Sequence, residues 1–136
     1  MIRPNDPILI ASINEHEGLS LKPYQDSRGV WTIGYGTNIT QISLHEAEML
    51  RDSRLTEAHE AASEYDWWLN LTNARQRVVV EMIYQLGQHG FDGFVKMQGA
   101  LSRGDYEHAA YEMLDSQWRK QVPERARILA GRMRRG

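Results

Sequence analysis

Between Thr72 and Leu86 the chain is apolar on nearly every side: Ala74, Val78, Val79, Met82, Ile83 and Leu86 recur at helical spacing, with Val80 and Tyr84 on the other side. A surface helix keeps one polar face, so this segment needs neighbours all round and belongs in the middle of a helical bundle. Thr72 is placed to cap its start. The neighbours are near at hand in the sequence. Gly87, Gly90 and Gly93 break the chain, and shorter helices are predicted from about Gly93 to Ser102, Tyr106 to Leu114, Ser116 to Gln121 and Pro123 to Met133, with Pro123 suited to a first turn.

The first part of the chain has another texture. A short helix is predicted after Pro7, ending at Gly18 and leaving Glu17 at its exit. From Leu21 to Ile39, Tyr, Val, Trp, Thr and Ile are punctuated by Pro23, Gly29, Gly34 and Gly36, and Asp26-Ser27-Arg28-Gly29 is a turn signal, which together predict a β-hairpin. Ser43-Leu44-His45-Glu46 has the form of a capping box opening a helix of some five turns. The fold class expected is α+β, a small hairpin lobe and a larger all-α lobe joined by a long helix. Residues 13–42 would form the small lobe and 43–66 the connecting helix. Residues 67–136, with the N-terminal helix, would form the helical lobe.

Composition narrows the chemistry. Hydrophobic residues make up 41% and charged residues 25% of 136, with 4 prolines, so low-complexity and disordered readings fall away. No cysteine is present, which excludes disulfides, a thiolate nucleophile and cysteine-ligated metals. The five histidines form no metal-ligand spacing, and His45-Glu46 lacks the second histidine of a zinc-protease helix. No metal or cofactor is expected. No membrane-spanning stretch or secretory leader is visible. Charge is uneven: residues 1–68 hold 11 acids and 5 bases, and residues 69–136 hold 7 acids and 11 bases. At the C-terminus Arg127, Arg132, Arg134 and Arg135 are expected on the wet face of a last helix, with Ile128, Leu129 and Met133 packing inward. A basic end of this kind suits a polyanionic partner, a solvated face being the plainer alternative.

Strand alternation puts Tyr24, Asp26, Thr32, Gly34 and Gly36 on one face, and a turn centred on Gly29 would set Asp26 opposite Thr32. The other face carries Leu21, Trp31, Ile33 and Tyr35, a mostly apolar set suited to packing. An acid at a helix end, together with an aspartate and a hydroxyl, is what an inverting glycosidase requires: one carboxyl to protonate the leaving oxygen and one carboxylate to place water. On residues alone, an N-cap, an Asx-turn or solvated charge remain open for the same carboxylates.

Glu17-Gly18, Leu19, Leu21, Lys22, Tyr24, Asp26, Gly29, Thr32-Ile33-Gly34 and Gly36 resemble the signature of the phage-type lysozymes. The likeness continues through Gln85-Leu86-Gly87, Gly90, Phe94, Ser116, Trp118, Gln121, Pro123 and Arg125-Ala126. It implies a lysozyme-like fold and a muramidase that cleaves the β-1,4 bond between N-acetylmuramic acid and N-acetylglucosamine with inversion. By the resemblance, Glu17 is the general acid and Asp26 and Thr32 hold the attacking water. Tyr84, Gln85 and Gly87 match cleft-lining positions. Asn38, Met97 and Glu112 align with contact positions but differ in residue type from the T-even phage enzyme. Arg125 matches an arginine near the acid, so burial of Glu17 is expected to offset its charge, and Trp118 is expected to pack beneath the cleft. Only Thr37 to Ile42 separate the Gly34-Tyr35-Gly36 strand from the connecting helix, where the family has a longer stretch completing a three-stranded sheet, so a bare hairpin is expected.

The resemblance further implies peptidoglycan as partner, with anionic wall or lipopolysaccharide met through the basic C-terminus, no nucleic acid, and a monomer. Such an enzyme would stay in the host cytoplasm until release, or travel in a virion. The competing readings are a lytic transglycosylase, which needs only a glutamate, and a wall-binding module without catalysis.

Overall fold

The computed structural model describes all 136 residues. In chain order these form helix α1 (Pro7–Glu17), strands β1 (Ser20–Gln25), β2 (Trp31–Gly34) and β3 (Thr37–Asn38), then helices α2 (Leu44–Ser63), α3 (Asn73–Asp92), α4 (Val95–Ser102), α5 (Tyr106–Leu114), α6 (Gln117–Gln121) and α7 (Pro123–Arg135). A short 3-10 turn at Trp68–Asn70 precedes α3. The architecture is α+β and lysozyme-like, and no helix is long and apolar enough to cross a membrane. Two compact units divide the chain at Met1–Glu48 and Met49–Gly136.

Local chemistry sets the helix boundaries. Asp6 Oδ1 accepts from the N–H groups of Ile8 and Leu9 at the start of α1, both at 3.0 Å. The capping box closes in both directions: Ser43 N–H donates to Glu46 Oε1 at 3.0 Å, and Glu46 N–H donates to Ser43 Oγ at 3.1 Å. Thr72 Oγ1 accepts from Arg75 N–H at 3.2 Å. Pro123 stands in the first turn of α7. Of the three glycines expected to break α3, only Gly87 leaves helical geometry, with φ 74° and ψ 164°; Gly90 stays within the helix and Gly93 follows its end.

The small unit departs from a bare hairpin. Its sheet has three antiparallel strands in the order β1-β2-β3, because Gly34-Tyr35-Gly36 reverses the chain tightly enough for Thr37 and Asn38 to pair back on β2. The first turn is centred one residue earlier than expected. Gly29 N–H donates to Asp26 O and Asp26 N–H to Val30 O, both at 2.9 Å, with Gly29 at φ 78°. That is a three-residue loop with a left-handed glycine, which pairs Gln25 with Trp31 and Tyr24 with Thr32. Thr32 therefore faces Tyr24, and Asp26 lies diagonal to it.

The apolar face expected to be core is also corrected. Leu21, Trp31 and Tyr35 are exposed and Ile33 is half-buried; the one buried residue of the unit is Thr32, at 4% exposure. Thr32 is buried because β2 is the central strand, whereas three strands this short bury little on either face.

The hydrophobic core lies in the second unit. Val78, Val79, Met82 and Ile83 of α3 meet Met97 and Leu101 of α4, Met113 of α5, Trp118 of α6, and Leu129 and Met133 of α7. This matches the central role the apolar pattern demanded of α3. Ile128, expected to pack inward, instead reaches solvent at 37% exposure, since the buried stripe of α7 runs through Ala126, Leu129, Ala130 and Met133.

Candidate active site

Four candidate residues, Glu17, Asp26, Thr32 and Asn38, belong to the small unit. Glu17 is the last residue of α1, exposed, and its carboxyl lies against Gly36: a Cβ built there would sit 2.6 Å from Glu17 Cδ and 2.9 Å from Cγ. Gly36 also has φ 73°, so both conformation and space demand glycine. The room that glycine leaves at position 36 is taken by Glu17 itself.

Asp26 forms an Asx-turn. Its Oδ1 accepts from the N–H of Arg28 at 2.8 Å and of Val30 at 2.9 Å. The bond from Val30, then that from Arg28 and the nearby Arg28 charge, hold its carboxyl below the ordinary 3.8. Asp26 is thus fixed as a carboxylate. Thr32 Oγ1 donates to Val30 O at 2.8 Å, which spends its proton and leaves the oxygen as an acceptor. Asn38, directly opposite Thr32 in the β2–β3 ladder, is tied locally, its Oδ1 accepting from Thr40 N–H at 3.0 Å and Thr40 Oγ1 at 2.8 Å. Tyr24, Thr32 and Asn38 make one row across the sheet.

The second unit holds the other candidates in two places. Tyr84 and Arg125 line an open groove of about 610 Å3 together with Leu55, Trp68, Val80 and Glu81. Arg125 Nε lies 3.8 Å from Glu81 Oε2, so Glu81 is the acid it pairs with. The burial expected to offset Arg125 is not found at Glu17, which is exposed.

Met97, Glu112 and Trp118 line a separate cavity of about 570 Å3. Met97 is fully buried. Trp118, also buried, stands edge-on to Phe94 at 6.0 Å, and its Nε1–H donates to Gln85 Oε1 at 2.9 Å, fixing Gln85 two residues before the kink at Gly87.

Two contacts escaped sequence reasoning. His108 Nε2 lies 3.0 Å from Glu112 Oε1, and Glu112 is only 11% exposed, so His108 holds its orientation in the cavity. The four-residue spacing on one helix was the available signal. The closeness of Glu17 to Gly36 had no such signal, because it depends on how α1 meets the turn between β2 and β3.

A helix-end glutamate laid against a small sheet that carries an ionised aspartate and a threonine, followed by a helical unit built on a central apolar helix, defines the class of lysozyme-like glycosidases. The chain belongs to the phage lysozyme family, which matches residues 14–136. Among curated relatives it is 27% identical to "Probable T4-type lysozyme 1" of Dictyostelium discoideum, over 81% of this chain and 84% of that one. It is 26% identical to "Pre-baseplate central spike protein Gp5" of Enterobacteria phage T4, over 84% of this chain but only 25% of that much longer protein. The protein is a lysozyme, a glycoside hydrolase whose substrate is peptidoglycan.

Proposed function

We propose that the enzyme is a muramidase that hydrolyses the β-1,4 bond between N-acetylmuramic acid and N-acetylglucosamine with inversion, lysing bacterial walls. Glu17 is the general acid, and Asp26 with Thr32 holds the nucleophilic water. The observation that carries this reading is the pinning of Asp26 by two backbone donors on a single oxygen. With Oδ1 so engaged, Oδ2 is the atom that accepts from water. Thr32 Oγ1, its own proton committed to Val30, accepts the second hydrogen. A water donating to both keeps a lone pair for the sugar carbon, and Asp26 takes up its proton as the bond forms. Glu17, exposed in the free enzyme at the end of α1, is open to the substrate and donates its proton to the leaving oxygen.

Asn38, Tyr84, Gln85, Gly87 and Glu112 serve as sugar-binding positions. Met97, fully buried, is a further such position, and Trp118 and Arg125 are supporting residues, Trp118 holding Gln85 and Arg125 paired with Glu81. The basic C-terminus draws the enzyme to anionic wall or lipopolysaccharide, and the enzyme works as a cofactor-free monomer without nucleic acid. It stays in the host cytoplasm until release. The likeness to a baseplate spike protein supports the other route, carriage in a virion, and immunodetection in purified particles decides between them.

Proton NMR in the first minutes of oligosaccharide digestion tests the mechanism. The α-anomer is expected first. A β-anomer would require a double displacement, and a 1,6-anhydro end would identify a transglycosylase.

A further inference from the structure

A cleft of about 420 Å3 along α7 has charge of one sign: Arg127, Arg134 and Arg135 are its only charged lining residues, and Leu114, Ile128 and Ala130 supply apolar walls. Two of the arginines are anchored. Arg127 binds Glu124 through Nη2 at 2.7 Å and Nε at 3.1 Å, and Arg134 Nε lies 2.9 Å from Glu107, with neither acid among the lining residues. Each guanidinium carries five donors, so an anchored one still offers N–H groups to a second anion.

The remaining lining residue is Gly131, in the interior of a helix, where glycine weakens the helix relative to alanine. Its backbone is helical, so no left-handed turn explains the choice. What glycine provides is room: a Cβ there would meet Arg135 Nη1 at 3.0 Å, the flexible end of a side chain lying across the cleft.

We propose that this cleft binds the phosphate headgroup of an anionic membrane lipid, with the guanidinium groups on the phosphate and the first part of an acyl chain along Leu114, Ile128 and Ala130. Phosphate oxygens match the guanidinium fork, and the apolar walls are what a free phosphate would leave unused. The inference deepens the surface-attraction part of the proposed function, and it stands apart from the sugar chemistry, because none of these residues belongs to the catalytic set. Binding here would keep the enzyme beside the membrane that underlies its wall substrate.

The test is co-sedimentation of the full chain with vesicles of phosphatidylglycerol in phosphatidylcholine, against vesicles of phosphatidylcholine alone. Binding is expected only to the first. Arg135→Gln should weaken it about fivefold, the usual worth of one cation near an anionic surface. Ile128→Ser should weaken it without changing charge. Gly131→Ala is the discriminating variant: it should raise the melting temperature by improving the helix and yet weaken vesicle binding. Cleavage of soluble oligosaccharides should be unchanged in all three. Wild-type-like vesicle binding by Gly131→Ala and Ile128→Ser would overturn the cleft in favour of diffuse electrostatics. Calorimetric binding of inorganic phosphate by the wild type as tight as its vesicle binding, and unchanged in Ile128→Ser, would make it a free-phosphate site and overturn the lipid assignment.

Discussion

Glu17→Gln keeps the shape of the side chain and removes the transferable proton, so wall hydrolysis should fall by about 10²–10⁴-fold while the exposed position leaves folding intact. Turbidity clearing alongside circular dichroism checks both halves. Gly36 and Gly34 make a matched pair for the contact beneath that acid. Both have positive φ, 73° and 69°, but a Cβ at Gly34 meets nothing whereas one at Gly36 strikes the Glu17 carboxyl. Alanine at either should cost about 1–2 kcal/mol of backbone strain, and only Gly36→Ala should also displace Glu17 and abolish clearing. Asp26 carries a pH signature. Its pKa is lower folded than unfolded, so its contribution to stability is present above about pH 3.8 and is lost as pH falls through the lower folded value. Asp26→Asn should be less sensitive to acid over that window in thermal melts, and should lose activity less completely than Glu17→Gln if Asp26 chiefly positions water.

The α3 and α7 helices are clamped by one arginine. Arg75 donates through Nε to Met133 O at 2.7 Å and through Nη2 to Arg134 O at 3.1 Å, with its guanidinium 3.7 Å above the Tyr106 ring. It thereby satisfies carbonyls that the end of α7 would leave unpaired. Arg75→Met should destabilise the protein by about 2–3 kcal/mol, measured by denaturant titration. Between α2 and α3, Tyr65 stacks on Trp67 and donates its hydroxyl to Asp92 Oδ1; burial first, then that bond, push the phenol up to about 12. A pKa raised above the unfolded 10.0 gives stability that is complete below pH 10 and lost as pH climbs toward about 12. Tyr65→Phe should remove that alkaline loss, with phenolate absorbance of the wild type reporting the titration.

Burial is distributed unequally over the whole molecule, with Thr32 the one buried residue before Glu48 and a continuous core from Ala58 to Met133. Amide exchange should therefore protect α3, α5 and α7 most strongly and the sheet least. Two of the four C-terminal arginines are paired, Arg127 with Glu124 and Arg134 with Glu107. Replacing Arg132, Arg134 and Arg135 by glutamine should slow lysis of whole walls at low salt, spare short soluble oligosaccharides, and flatten the salt dependence. Helix starts were legible in the sequence because caps act within four residues: Ser43, Thr72 and Pro123 each need only their own neighbours. The central place of α3 was legible for a similar reason, since an apolar surface all round admits one environment. The spacing of Glu17, Asp26 and Thr32 was a sequence property too, but their geometry was not. One left-handed glycine in a three-residue loop centred the turn one residue earlier and gave Thr32 the partner Tyr24 in place of Asp26, a two-residue strand completed the sheet, and Gly36 became the seat of Glu17. Pairing across a loop and approach between elements depend on energies summed over partners distant in sequence, and only the folded chain decides them.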